Sequence, residues 1–377
     1  MQLENLAIRS FRNLIPVALD LAPGVHLLYG ANGQGKTNLL EAACLLVNGN
    51  SPRTSSLAET IPWSGARAEL GGVQEAYGVH YRVDMQIAAK SKTLQIDGSA
   101  KRAVPGISKG CLALTFLPED LAILTGEPSL RRDFLDKTLT LWDTAHAADL
   151  RAYGGALVAR TRILRDLAAA GQTSGPRMES LLSPYEQILV ARGGAIVRRR
   201  AHLTDQLAIR MQTTADTYDI PLAISCRYLP HVPELLDESP EADLAALRRL
   251  VERRQVDLIQ KRTTVGPHRD DLAVDCKGAG VRTYASRGET RLAMVLVLIA
   301  KLQVVMDRLQ FTPLIILDDI FSELDRERRR LVVMTLPREA QVLCSAVERD
   351  LEQAWLGDRE SVHSWHVSGG QISAGKL

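Results

Sequence analysis

Residues 30–37, Gly-Ala-Asn-Gly-Gln-Gly-Lys-Thr, constrain this chain more than any other stretch. They match G-x-x-x-x-G-K-[ST], follow the apolar segment VHLLY (25–29) and precede NLLEAACLLV (38–47), whose apolar residues recur at helical spacing. A strand, a glycine turn and a helix in that order aim backbone N–H groups at phosphate oxygens, at the positive end of a helix dipole. Gly30, Ala31, Asn32, Gly33, Gln34 and Gly35 are the residues expected to cradle the phosphates. Lys36 would bring a point charge to the β- and γ-phosphates, and Thr37 a hydroxyl to magnesium. The expected cofactors are ATP and Mg²⁺.

Such a loop needs an acidic partner at the end of a neighbouring strand. TPLIILDDI (312–320) supplies four apolar residues and then two carboxylates. Asp318 reads as the magnesium-sphere residue and Asp319 as the group that polarises attacking water. An Asp at 319, one methylene shorter than the Glu usual at such a site, is consistent with slow hydrolysis. Adjacent carboxylates after a buried strand can also simply cap a helix. A third element, Tyr284-Ala-Ser286-Arg-Gly288-Glu289, precedes an apolar helical run. Alone, S-x-G-E before a helix is an ordinary N-cap. Its place after the glycine loop and before the acidic strand and Ser322-Glu323-Leu324-Asp325 resembles the motif order of the ABC ATPases. That resemblance makes Ser286 and Gly288 contacts to a nucleotide held by the opposite subunit, and SELD the loop that crosses the dimer interface.

The chain has 377 residues, enough for two or three domains or for one domain carrying an insertion. Strand-and-turn texture (Leu3–Ile8, Tyr81–Ile87, Leu112–Leu117) runs to about residue 130. A helical stretch over 131–171, with Leu150, Leu157 and Leu164 seven apart, is broken by GQTSGP (171–176). A second helix over 179–218, a strand over 222–228 and a third helix over 241–260 follow, and strand texture returns beyond Arg262. The expected fold is α/β, an ATPase head of mixed sheet and helices split by a helical insertion domain. Residues 1–130 would form the N-terminal part of the head with the P-loop, 131–262 the helical arm, and 263–377 the rest of the head with the signature motif, acidic strand and D-loop.

With 46 basic and 44 acidic side chains the net charge is +2, which excludes a polybasic, always-on nucleic-acid binder. Arg supplies 36 of the basic groups and Lys 10, a bias that suits phosphate recognition and equally reflects genome composition. The runs Arg198–Arg200, Arg248–Arg249 with Arg253–Arg254, and Arg328–Arg330 read as solvated helix faces. Five scattered cysteines without C-x-x-C fit reduced thiols. The longest apolar run, Leu292–Ala300, is about half of what a membrane span needs, and the N-terminus lacks a signal-peptide pattern. A soluble, cytoplasmic protein without membrane partners is expected.

The distance from Thr37 to Ser286 is far longer than in a compact transporter ATPase and resembles the SMC-like branch, although the arm is short and has no zinc hook. LAIRSFRNL, GANGQGKTNLLEA, FLPEDLAIL with GEPSLRRDFLD (116–136), TTVGPHRDDL (263–272), ASRGETR (285–291) and LIILDDIFSELD (314–325) together resemble the RecF family, in the family's order and over nearly the whole chain. The resemblance implies a weak, DNA-stimulated ATPase of recombinational repair and replication-fork maintenance that forms a homodimer on ATP. It further implies binding of single- and double-stranded DNA at gaps, action with RecR and RecO in loading RecA, and support of the SOS response. It adds Arg12 to the nucleotide contacts. In the superfamily a Gln before the insertion touches metal and water; that place falls at Leu117–Glu119 here, so Glu119 or Asp120 stands in for it. The segment 341–347 lacks the family's Thr-rich strand end and leaves any switch residue there open. No segment reads as the DNA surface. The alternatives are a transporter's nucleotide-binding subunit and a chromosome-structuring ATPase.

Overall fold

The computed structural model describes residues 1–172, 174–220, 223–322, 324–351, 355 and 361–375. From the N-terminus come β1 (Gln2–Ser10), β2 (Val17–Asp20), β3 (Val25–Tyr29) and α1 (Lys36–Asn48). Then follow β4 (Arg67–Ala76), β5 (Val79–Ala88), β6 (Ser91–Ile96), β7 (Ser99–Ala100) and β8 (Ala113–Phe116). The helical region holds α2 (Leu121–Thr125), α3 (Pro128–Leu139), α4 (Thr144–Ala169), α5 (Pro176–Thr217), β9 (Ile224–Leu229), α6 (Pro240–Glu252) and α7 (Arg254–Gln260). After it come β10 (Asp271–Cys276), β11 (Ala279–Gly280), α8 (Val281–Tyr284), α9 (Arg287–Leu309), β12 (Leu314–Leu317), α10 (Arg326–Thr335), β13 (Val342–Ala346), β14 (Val362–Ser368) and β15 (Gln371–Ala374).

These elements form two compact units, Met1–Asp120 with Met306–Leu377, and Leu121–Val305. The first unit holds an antiparallel sheet ordered β2-β1-β4-β5-β6-β7 and a second sheet ordered β15-β14-β3-β13-β12-β8. In the second sheet every pair is parallel except β14 with β15. Its central strands are buried almost throughout and mainly apolar, β12 wholly so, as parallel strands covered on both faces are. Helix α1 is buried on nearly all sides from Leu39 to Val47 and shares one core with Leu6 and Ile8 of β1, Met85 and Ile87 of β5, Ile316 of β12 and Leu343 of β13. An all-round apolar helix is stable only in such a position.

The second unit pairs β9 with β10 and β10 with β11, and packs α4 along α5. The helix expected over 131–171 is two helices. The chain turns at 140–143, and Asp143 restarts it by accepting a hydrogen bond from His146 N at 2.9 Å. The helix expected over 241–260 is likewise divided at Arg253 into α6 and α7. Ser239 caps α6 through Ala242 N, with Pro240 at its first position. The strand expected over 222–228 begins at Ile224, and Leu222 lies outside the described residues.

The compact division differs from the boundaries expected at 130/131 and 262/263. It falls earlier, at Asp120, and later, at Val305: α2, the Gly266–Asp271 turn and the β10–β11 hairpin pack with the arm helices, and α9 as far as Val305 belongs to the same compact unit. No described helix is long and apolar enough to cross a membrane.

Candidate nucleotide-binding site

Strand β3 runs between β14 and β13 and delivers residues 30–35 to the C-terminal edge of the parallel sheet, where open α/β sheets bind ligands. Gly30 has φ 149°, and a Cβ there would lie 2.2 Å from Val367 O, so only glycine fits. Gly33, at φ 79°, faces open space: a Cβ there would meet no atom within 4 Å. Gly35 opens α1 with no side-chain cap, leaving the first-turn N–H groups without a side-chain acceptor. Gln34 points away from the cleft: its Oε1 accepts from Gly369 N at 2.7 Å, and its carbonyl accepts from Gly370 N at 2.9 Å. The turn between β14 and β15 thus braces the loop.

A cavity of about 330 Å³ opens above the loop, lined by Asn32, Gly33, Gly35, Lys36, Thr37, Asn38, Arg53, Pro118, Glu119, Asp318, Asp319 and Ser345. Lys36 is buried, and its Nζ donates to Gly30 O (2.6 Å) and Ala31 O (2.9 Å). Burial pushes its pKa down, opposed by Asp319 and Asp318. Thr37 Oγ1 donates to Asp318 Oδ1 at 3.1 Å, and Ser345 Oγ donates to the same oxygen at 2.7 Å. Burial raises the Asp318 pKa; the two hydroxyls oppose the shift, and Asp319 adds to it. Ser345 Oγ also accepts from Asp319 N at 2.8 Å, and Asp319 adopts the left-handed conformation at φ 50°. One serine therefore sets both acidic residues.

Ser345, Asn38 and Arg53 carry no signal in the sequence that marks them for the site. Ser345 stands near the end of β13, the strand between β3 and β12; sheet order, not sequence proximity, brings it there. Arg53 Nη1 donates to Asn38 Oδ1 (3.0 Å) and to Glu41 Oε2 (3.2 Å). Glu41 lies in buried α1, and Ser51 and Arg12 also donate to it. Arg12, expected to contact nucleotide, is forked on Glu41 at 2.5 and 2.8 Å and reaches Glu59 O at 3.2 Å. It lines a second cavity of about 480 Å³ with Asn13, Ile61, Pro62 and the exposed Trp63, and Asn38 and Arg53 border both cavities.

Glu119 lines the first cavity, whereas Asp120 accepts from Leu117 N at 2.8 Å in its own turn. Of the SELD loop, Ser322 Oγ donates to Asp319 O at 2.9 Å, and Asp325 caps α10 through Arg328 N. Glu323 lies outside the described residues. Ser286 and Gly288 belong to the second unit. There Ser286 and Glu289 cap each other: Glu289 N donates to Ser286 Oγ (3.3 Å), and Ser286 N donates to Glu289 Oε2 (2.9 Å). Lys277 Nζ, at 2.6 Å from Glu289 Oε1, reinforces the cap.

A glycine loop and a hydroxyl–carboxylate pair at the edge of a parallel sheet, in a chain with a long helical insertion, define an ABC-type ATPase head of the RecF/RecN/SMC class. The family described as RecF/RecN/SMC N terminal domain matches residues 2–359. Within that class the chain belongs to the RecF family. The DNA replication and repair protein RecF of Anaeromyxobacter sp. (strain Fw109-5) is 33% identical over 99% of this chain and 99% of its own. That of Myxococcus xanthus (strain DK1622) is 31% identical over 99% and 97%. A solved structure of the recombination mediator protein RecF with ATP, in the RecFOR pathway, aligns with a TM-score of 0.81 at 25% identity, covering 99% of each chain. An Smc head bound to the C-winged helix domain of ScpA shares the fold, with a TM-score of 0.52 at 14% identity over 100% and 98% of the two chains.

Proposed function

We propose that this protein is an ATP-gated DNA-binding ATPase of recombinational repair and replication-fork maintenance, in which ATP acts mainly as a dimerisation switch. The observation that carries the reading is the Thr37–Asp318–Ser345 cluster at the mouth of the Lys36 loop. Its hydroxyl and carboxylate come from separate elements and form an all-oxygen set that suits a hard cation. Thr37 and Asp318 would hold magnesium, which when bound neutralises charge on the β- and γ-phosphate oxygens.

In this reading Lys36 exchanges two loop carbonyls for phosphate oxygens, and the uncapped N–H groups of α1 complete the cradle. Arg53 adds a cation at the phosphate end, while the Trp63 cavity beside Arg12 receives the base and sugar. Asp319 orients water, with Glu119 lining the same cavity. Ser286 of a second copy closes over the γ-phosphate. Because its Oγ serves its own helix as an acceptor, its hydroxyl proton is left to donate.

Relatives named DNA replication and repair protein, and a RecF–ATP structure in the RecFOR pathway, support a role in DNA repair, and to this the proposal adds a cytoplasmic location and action on single- and double-stranded DNA at gaps. RecR and RecO are the proposed partners, in loading RecA and supporting the SOS response. Turnover is proposed to be slow and stimulated by DNA.

Sedimentation of wild type and Lys36→Met with ATP, with and without gapped duplex, tests the reading. An ATP-dependent dimer that Lys36→Met fails to form is expected; a wild type that stays monomeric with both ligands overturns the switch. Ser286→Arg should bind ATP and remain monomeric, and loss of ATP binding would displace Ser286 from its role.

A further inference from the structure

Read as sequence, GPHRDD is a loop whose mixed charges neutralise one another. In the fold its charges separate: the acids turn inward and an arginine turns out. Asp270 is fully buried; it accepts from the Tyr228 hydroxyl and from His231 N (2.7 Å), with Arg200 Nη1 at 3.4 Å. Asp271 accepts from Arg131 Nε (2.6 Å) and Nη2 (3.1 Å). Arg269, between this pair and His268, is exposed and makes no side-chain hydrogen bond or ion pair among the described residues.

Two neighbours of Asp270 enlarge that free charge. Arg132 Nη1 donates to Asp270 O at 2.8 Å, a backbone carbonyl, and no described carboxylate pairs with the rest of its guanidinium, although Asp133 is next to it in sequence. His231, exposed, is held through its own N–H on Asp270. Its pKa is lowered by partial burial and then by Arg249, Arg269 and Arg253, opposed by buried Asp270. Of those three arginines only Arg249 is paired among the described residues, to Glu234 at 3.1 Å. A cluster of cations whose local acids are already bonded elsewhere lacks an internal counter-ion, and planar guanidinium forks match phosphate oxygens.

We infer that Arg269, Arg132 and Arg253, set about His231, His268 and the buried Asp270 in the second unit, form a binding surface for the phosphodiester backbone of DNA. The inference rests on the DNA-binding reading above and adds its location. Arg269 and Arg253 each contribute a full phosphate contact, because neither side chain is paired among the described residues, whereas Arg132 is partly engaged by Asp270 O.

Anisotropy of a fluorescein-labelled 30-bp duplex with ATP, titrated with salt, tests the surface. Each lost phosphate contact should lower the slope of log K against log salt by about 0.9 and weaken binding about tenfold at 0.1 M salt. Arg269→Gln should show one such step and Arg269→Gln with Arg253→Gln two, with the thermal midpoint and DNA-free ATP turnover unchanged. Unchanged affinity and slope in the double variant overturns the surface. Weaker binding with an unchanged slope also overturns it, because no phosphate contact was then lost. A wild type that fails to bind the duplex with or without ATP overturns the DNA-binding reading itself, and this surface with it.

Discussion

The nucleotide site of the first unit and the arm network of the second bury ionisable groups in opposite ways. In the first, Lys36 rests on two backbone carbonyls and Asp318 on two hydroxyls, partners that a phosphate or a cation can replace. In the second, Arg160 is fully buried between Glu186 (3.0 Å) and Asp257 (2.6 Å), and Arg254 holds the other oxygen of Glu186 at 2.5 Å. Arg200 reaches Asp136 at 2.6 Å, and His146 holds the same carboxylate at 2.9 Å. Burial raises the Asp136 pKa, but Arg200 and His146 outweigh it and bring it below the usual carboxylate value. Neutral, exchangeable partners leave the first set available for chemistry. Charged, permanent partners make the second set part of the fold.

The sharpest way to break this comparison is to remove one member from each set. Arg160→Met leaves Glu186 and Asp257 short of their buried counter-charge and should cost about 3–5 kcal/mol, enough to unfold the helical unit in modest urea. A change under about 1 kcal/mol would show that this network is dispensable. Asp318→Asn should do the reverse. The amide can still accept from Thr37 and Ser345, and the buried carboxylate at this position is gone, so the thermal midpoint should hold or rise. ATP turnover should fall about 10²–10³-fold, roughly 2.7–4 kcal/mol on the barrier. A variant that loses stability and keeps its turnover would place Asp318 among the structural carboxylates.

What the sequence discloses follows the same division. The glycine loop, β3, α1 and the acidic strand are legible because each is a local pattern: a run of apolar residues, a turn only glycine can make, a helix apolar on all sides. The nucleotide site is legible only as far as its residues are local. Ser345 and Arg53 reach it through sheet order and through a salt bridge to Glu41, and neither has a spacing signature. In the arm the Leu150, Leu157 and Leu164 heptad suggests an apolar stripe, yet only Leu164 is fully buried, beside His146, Asp149, Tyr153 and Arg160. Periodicity reports which face is apolar and not which charges have found buried partners. The helix breaks at Asp143 and Arg253 carry no Gly or Pro and so leave no mark in the sequence. The GPHRDD motif is legible as unusual, but the inward turn of its acids is a tertiary fact.

A smaller effect, acid sensitivity, is common to both units and can be read in the second. Each holds a histidine whose pKa is lowered to about 4. His26 is lowered by burial, with His363 stacked on it at 4.9 Å; His268 is lowered by burial and then by Arg269, Arg132 and His231. His268 fits as the neutral ring protonated on Nε2, which donates to Thr263 O at 3.1 Å while Nδ1 accepts from the Tyr153 hydroxyl at 2.7 Å. A second proton would have to displace that hydroxyl and sit among the arginines. Because the folded pKa lies below the unfolded one, the unfolded chain binds a proton that the fold refuses between about pH 6.5 and 4. Stability is therefore whole above about pH 6.5 and declines as pH falls toward 4, by up to about 3 kcal/mol for this histidine. His268→Gln can keep both hydrogen bonds through its amide without titrating. Urea unfolding of the helical unit at pH 7.5 and 5 should show wild type losing about 2 kcal/mol more than His268→Gln on acidification. Equal losses would mean that the acid sensitivity lies in the carboxylate–arginine network and not in the turn that carries Arg269.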